Sequence, residues 1–145
     1  MSRPLAVVVM ASAGGIVAMQ PAMNSQLGKV TGALPAALIS FLIGAAVLAA
    51  IVIATGQAGA LTSGLDVQWY YLLGGVFGAL WITTSLIAID SLGAGGVVAA
   101  TITGQLTGSV ILDRLGVLGL EPVPISPSRV LGVLFLVLGT FLIVR

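Results

Sequence analysis

From Leu34 to Ala54 the chain carries no charged side chain and a single polar one, Ser40. An α-helix needs roughly 20 consecutive apolar residues to cross the hydrocarbon core of a bilayer. Stretches of this character recur along the whole sequence, and very little lies between them. Charged residues make up 6% of the chain and hydrophobic ones 59%, with a mean hydropathy of +1.23. A soluble domain carries about a quarter charged residues. So few charges cannot cover a water-exposed surface, and most of the chain must face lipid.

Lipid offers no hydrogen-bond partners, so every backbone polar group at membrane depth must be paired within the protein. A transmembrane barrel would show short segments of alternating polarity. The continuous apolar runs here call for helices instead. The expected fold is all-α: a polytopic membrane helix bundle of about five transmembrane helices, forming a single transmembrane domain over residues 1–145. The spans fall at about 4–27, 34–54, 68–89, 95–112 and 129–144. Arg3, the apolar run after it and Ala11-Ser12-Ala13 resemble a secretory signal with its cleavage site. Hydrophobic sequence continues to Met23, however, so Pro4 onward is taken as a genuine span.

Local signals shape these spans. Pro21 removes a backbone donor inside the first run, which predicts a kink near Val17 or a broken helix. Gly28, Lys29 and Gly32 mark its end. Residues 55–67 read as a loop, with Asp66 as a candidate N-cap for the third span. Trp69, Tyr70 and Tyr71 open that span, as interfacial aromatics do. Asp90 to Gly96 reads as a tight connection. Ser126-Pro127 is a start signal for the last span, a capping hydroxyl followed by proline in the first turn.

Cysteine and histidine are absent. Disulfides, thiol chemistry and the usual nitrogen and sulfur metal ligands are thereby excluded, and the commonest general base is missing. No metal or other cofactor is expected, and no enzymatic activity. The net charge is +1 and the basic residues are scattered, so nucleic-acid binding has no support.

Polar residues at membrane depth are costly and mark function by default. Gln20, Asn24 and Gln26 follow the proline break, where a broken helix could hold a solute; a span that ends near Met23 would instead leave them among headgroups. Thr101, Gln105 and Ser109 share one face of the fourth span. They could line a pathway, or serve as hydrogen-bonding glue between helices. Trp81 lies mid-span, where it could stack on a solute or fill space against glycines. No acidic residue lies mid-span. Asp90 and Asp113 sit at the ends of the third and fourth spans and are the candidates for ion coupling. Asp113 could equally form an interfacial ion pair with Arg114 or Arg129.

Several motifs recur in a fixed order: Gln20-x3-Asn24-x2-Leu27, then Trp69-Tyr70 ahead of Gly74-Gly75-x2-Gly78, then Gly93-Ala94. Gly104-Gln105-Leu106-x6-Asp113-x2-Gly116 follows, and Ile125-Ser126-x2-Arg129-x2-Gly132-x6-Gly139 closes the series. In this order the chain resembles the five-span YdcZ-like family, a branch of the drug/metabolite transporter superfamily. The resemblance covers essentially the whole chain and is strongest in the Gly-Gln-Leu segment. It implies a multi-pass protein of the bacterial inner membrane, an exporter of unassigned substrate, with Gln20, Asn24, Gln105 and Asp113 as the positions carried over. Small multidrug carriers of the same superfamily couple protons through a glutamate in the first span. No acid stands there in this chain, so cationic-drug antiport of that kind is not transferred to it.

The expected function is secondary transport of a small metabolite or drug-like solute by alternating access, in a lipid bilayer and as a homodimer. The alternatives are a small-ion channel and a non-transporting membrane scaffold or accessory subunit. Five spans put the termini on opposite sides, so that Arg3, Arg114 and Arg129 share one side and Lys29 and Arg145 the other. Three charges against two is little bias under the positive-inside rule. Insertion both ways up, with antiparallel pairing into an inverted repeat, therefore stands beside a single fixed orientation. Reporter fusions at Met1 and Arg145 test the span count. A fixed orientation yields one clean pair of opposite signals, and dual insertion yields both signals at each end. Reporters that always agree overturn the five-span assignment.

Overall fold

The computed structural model describes residues 1–145, apart from the side chain of Leu65. Among the described residues all regular structure is helical. Five α-helices follow in order: α1 (Arg3–Val17), α2 (Gln20–Thr31), α3 (Ala33–Ala54), α4 (Leu73–Leu115) and α5 (Pro127–Val144). Four helical runs are long and apolar enough to cross a membrane: Arg3–Thr31, Ala33–Ala54, Trp69–Leu115 and Pro127–Val144. The protein is thus a polytopic membrane helix bundle.

Each boundary has a local cause. Gly32 has φ +90°, which an L side chain rarely adopts, and it separates α2 from α3 in one residue. Pro35 falls in the first turn of α3, where a missing N–H costs nothing. Helix α4 is 43 residues long, which at 1.5 Å per residue is about 64 Å, roughly twice the hydrocarbon thickness. Its backbone leaves helical values at Gly93 (φ +68°, ψ 169°), giving two segments, 73–92 and 94–115. The kink at Gly93 falls within the tight connection expected from Asp90 to Gly96. Residues 58–65, expected in a loop, form a 3-10 helix, Ala58–Leu65. Asp66 ends that turn and does not cap the next one, whose N-cap position is Gln68. Ser126 caps α5 as expected, its hydroxyl accepting from the Arg129 N–H at 3.3 Å.

The chain divides into two compact units. Residues 20–87 form one. Its core is Ala36 and Ala37 of α3 with Ile82 and Leu86 of α4, and Leu27, Ala33 and Trp81 pack around it. Small residues let these helices approach: a Cβ on Gly28 would lie 3.5 Å from the Leu86 side chain and 3.8 Å from that of Ala36. The Phe41 ring lies across Gly78, 3.2 Å from where a Cβ would stand. Trp69, Tyr70 and Tyr71 form an exposed aromatic cluster ahead of α4, with ring centroids 6.2 and 4.6 Å apart.

The terminal unit comprises residues 1–19 and 88–145. Gly96 is held close to α5, a Cβ there falling 3.3 Å from Val144. The connection from 116 to 126 is tied back to its helix by the Val123 N–H, which donates to the Asp113 carbonyl at 2.8 Å. At most 17% of the most apolar stretch of any span is buried inside the chain, so lipid or another protein surface covers the rest.

Gly116 adopts φ +60°, and a Cβ on it would lie 2.5 Å from the Pro122 ring. Gly116→Ala combines left-handed strain with a steric clash, and it should destabilise the protein by about 2–4 kcal/mol. Thermal unfolding in detergent should show an apparent Tm several degrees lower. An unchanged Tm would mean that this turn contributes nothing to the fold.

Candidate functional site

Helix α1 stops at Val17 because its ladder tightens. The Ala18 N–H still bonds four residues back to the Gly14 carbonyl at 2.9 Å, whereas the Met19 N–H bonds only three back, to Ile16, at 3.1 Å. Pro21 then falls in the first turn of α2 and is fully buried. One turn later Asn24 is only 6% exposed. Its Oδ1 accepts a hydrogen bond from the Ser40 hydroxyl of α3. Its Nδ2 has no partner among the described residues. A buried donor left unpaired costs about 1–3 kcal/mol, and few survive in native proteins.

Gln20 is half-buried at the start of the same helix and Gln26 is exposed. Trp81 is half-buried and packs against the Ala36–Ile82 core. Ser85 is buried, and its hydroxyl donates to the Ile82 carbonyl of its own helix at 2.8 Å. These residues all belong to the 20–87 unit.

In the terminal unit, polar side chains pair between 94–115 and α5. The Thr140 hydroxyl donates to the Ala99 carbonyl at 3.0 Å and meets the Thr103 hydroxyl at 2.6 Å. The Thr103 hydroxyl also reaches the Leu136 carbonyl at 3.3 Å. Beside this clamp lies a cavity of about 370 Å³, walled by Ala18, Ala94, Ala99, Ile102, Gly139 and Thr140 among others. Its lining is almost wholly apolar, and Thr140 has already committed its hydroxyl.

The expected residues of this unit lie elsewhere. Thr101 is half-buried. Ser109 is exposed and donates to the Gln105 carbonyl at 2.7 Å. Gln105 is exposed. Asp90 is exposed. Asp113 pairs with Arg129 at 3.1 Å, both side chains about a third exposed, so Arg129 compensates the acid at that helix end. None of these residues lines the cavity. Among the described residues no cluster of metal-binding side chains occurs.

Two features were given no role from the sequence. Ser40 was legible as the one polar residue in its span, and the cost of polar groups in lipid should have flagged it. The Thr103–Thr140 pair joins residues 37 positions apart, so no local pattern announces it.

A family model described as "Putative inner membrane exporter, YdcZ" matches residues 5–142. No curated protein and no solved structure matches the chain.

The Thr clamp and the ion pair should differ in weight. Thr140→Val removes two hydrogen bonds from a half-buried helix contact and should cost about 1–2 kcal/mol. Asp113→Ala breaks a pair that water can screen and should cost less than about 1 kcal/mol. Unfolding titrations in mixed micelles compare them, and the reverse order would show that the ion pair is the stronger tie.

Proposed function

The chain belongs to the YdcZ-like family of inner membrane exporters, and from that premise we propose that it is a secondary transporter for a small polar or amphipathic solute, working by alternating access as a homodimer. The observation that carries this reading is the interruption of the first span. Helix α1 is 15 residues long, about 22 Å, and falls short of the ~30 Å hydrocarbon core. The break at Ala18 and Met19 then lies at membrane depth, with Gln20 and Asn24 just beyond it. Interrupted helices are where carriers expose backbone and amide groups to a solute.

Five spans follow if Gly93 is the turn between the third and the fourth. In the 20–87 unit, Asn24 binds the solute, and Gln20 and Trp81 contribute to the same site. On the 94–115 helix, Gln105, Thr101 and Ser109 form a polar track for the solute. An exposed amide such as Gln105 is costly against lipid, and a second copy of the chain offers it a partner. The low internal burial of every span supports the same dimer. Asp113 and Asp90 are the acids available for ion coupling. The solute leaves unchanged, so no residue is assigned a catalytic role.

Solute-driven currents from purified protein in liposomes on a solid-supported membrane test this reading. A saturable current for one solute class is the expected result. Flux that never saturates and needs no counter-ion would make the protein a channel, and no flux from folded protein would favour a scaffold. Gln105→Leu should abolish transport while leaving the dimer folded, and retained transport would remove Gln105 from the track. Asp113→Asn should flatten any pH dependence of the current, and an unchanged profile would leave Asp113 as a structural pair.

A further inference from the structure

We propose that Asn24 recognises an uncharged solute through a hydrogen-bond acceptor oxygen, and that Ser40 is the positioning residue that sets the amide for this task. The inference rests on the transporter reading above and names the substrate class of that site.

The carboxamide of Asn24 has one acceptor end and one donor end. Ser40 occupies the acceptor end by donating its hydroxyl to Oδ1. That bond leaves the NH2 end as the free part of the group, and it is the part that finds no partner. A site that offers only donors selects acceptors.

No neighbour within the unit supplies one. The buried polar side chains of the described residues are Asn24 and Ser85, and Ser85 already bonds its own helix. The charge of the solute follows from what surrounds the amide. Between residues 20 and 87 the charged residues are Lys29 and Asp66, and both are exposed. No carboxylate stands ready for a buried cation, whose positive charge the amide hydrogens would also oppose. An anion would gain the amide dipole but no counter-charge, and an unpaired buried ion is expensive. A carbonyl, carboxamide or ether oxygen on a neutral solute satisfies the NH2 group without either cost. In this conformation the donor is shut away from solvent. Access therefore depends on the opening step that alternating access provides.

Asn24 is the one asparagine in the chain. Protein labelled with side-chain 15N-asparagine thus gives one amide signal, which can be followed by solid-state NMR in lipid bilayers. Three probes are titrated: caffeine, which is neutral and bears carbonyl oxygens; tetraphenylphosphonium, a cation; and p-toluenesulfonate, an anion. Flux of the same probes is measured in liposomes. Caffeine alone should shift the Asn24 signal saturably. Ser40→Ala should weaken that binding about tenfold, the worth of one hydrogen bond. Asn24→Asp, nearly the same shape, should lose caffeine flux and gain flux of the cation.

A saturable shift with either ion, or flux of any probe with an unmoved Asn24 signal, overturns the inference and leaves the transporter reading intact. An amide signal that reports only water, unchanged by all three probes, marks a hydration site and also overturns it. Caffeine binding at Asn24 without flux supports the recognition and defeats the transporter. Silence in both measurements from folded protein defeats both.

Discussion

Hydrocarbon supplies no hydrogen-bond partner, and nearly every feature of this protein follows from that one constraint. Backbone groups close on themselves in helices, so the described residues contain no strand. Where a helix must stop, the residue at the break solves the same problem locally. Gly32 and Gly93 take backbone angles that other residues resist, and Pro21 has no donor to leave unpaired. Side chains obey the rule too. Ser109 turns back to its own helix, and Thr103 and Thr140 bond each other and the opposite backbone. Against this economy the unpaired NH2 group of Asn24 stands out as a departure.

The second constraint is that apolar side chains gain little from packing against one another when lipid tails are equally apolar. Close approach of helices must supply dispersion contacts and short polar bonds instead. Accordingly the 20–87 core is built from Ala36, Ala37 and Gly28 beneath Ile82 and Leu86, with few large side chains buried. The terminal unit uses Gly96 and the threonine clamp. Large residues such as Leu42, Phe77 and Phe135 point outward, where lipid or a second copy meets them.

Most of the architecture could be read along the chain because each span is a long local signal. The Pro21 break and the Ser126 cap were equally local. One cap was misplaced. Asp66 has the chemistry of an N-cap, but residue type alone does not reveal that it ends one short helix and does not start the next. The site was less legible. Asn24 could be named from its place after the break, and Trp81 packs against the Ala36–Ile82 core. Ser40 drew little notice although it completes the Asn24 arrangement.

The sequence alone determined the solvent, the helical class and the lack of any thiol or imidazole side chain. These depend on composition and on stretches of about 20 residues, which any conformation of the chain would carry. Only the tertiary structure decided which polar groups are satisfied. Asp113 meets Arg129 across 16 positions, Thr103 meets Thr140 across 37, and Ser40 takes one end of the Asn24 amide and leaves the other open. A hydrogen bond spans about 3 Å and forms only between groups that the fold has already brought together. Pairing of that kind is a property of packed helices and cannot be read from their sequences one at a time.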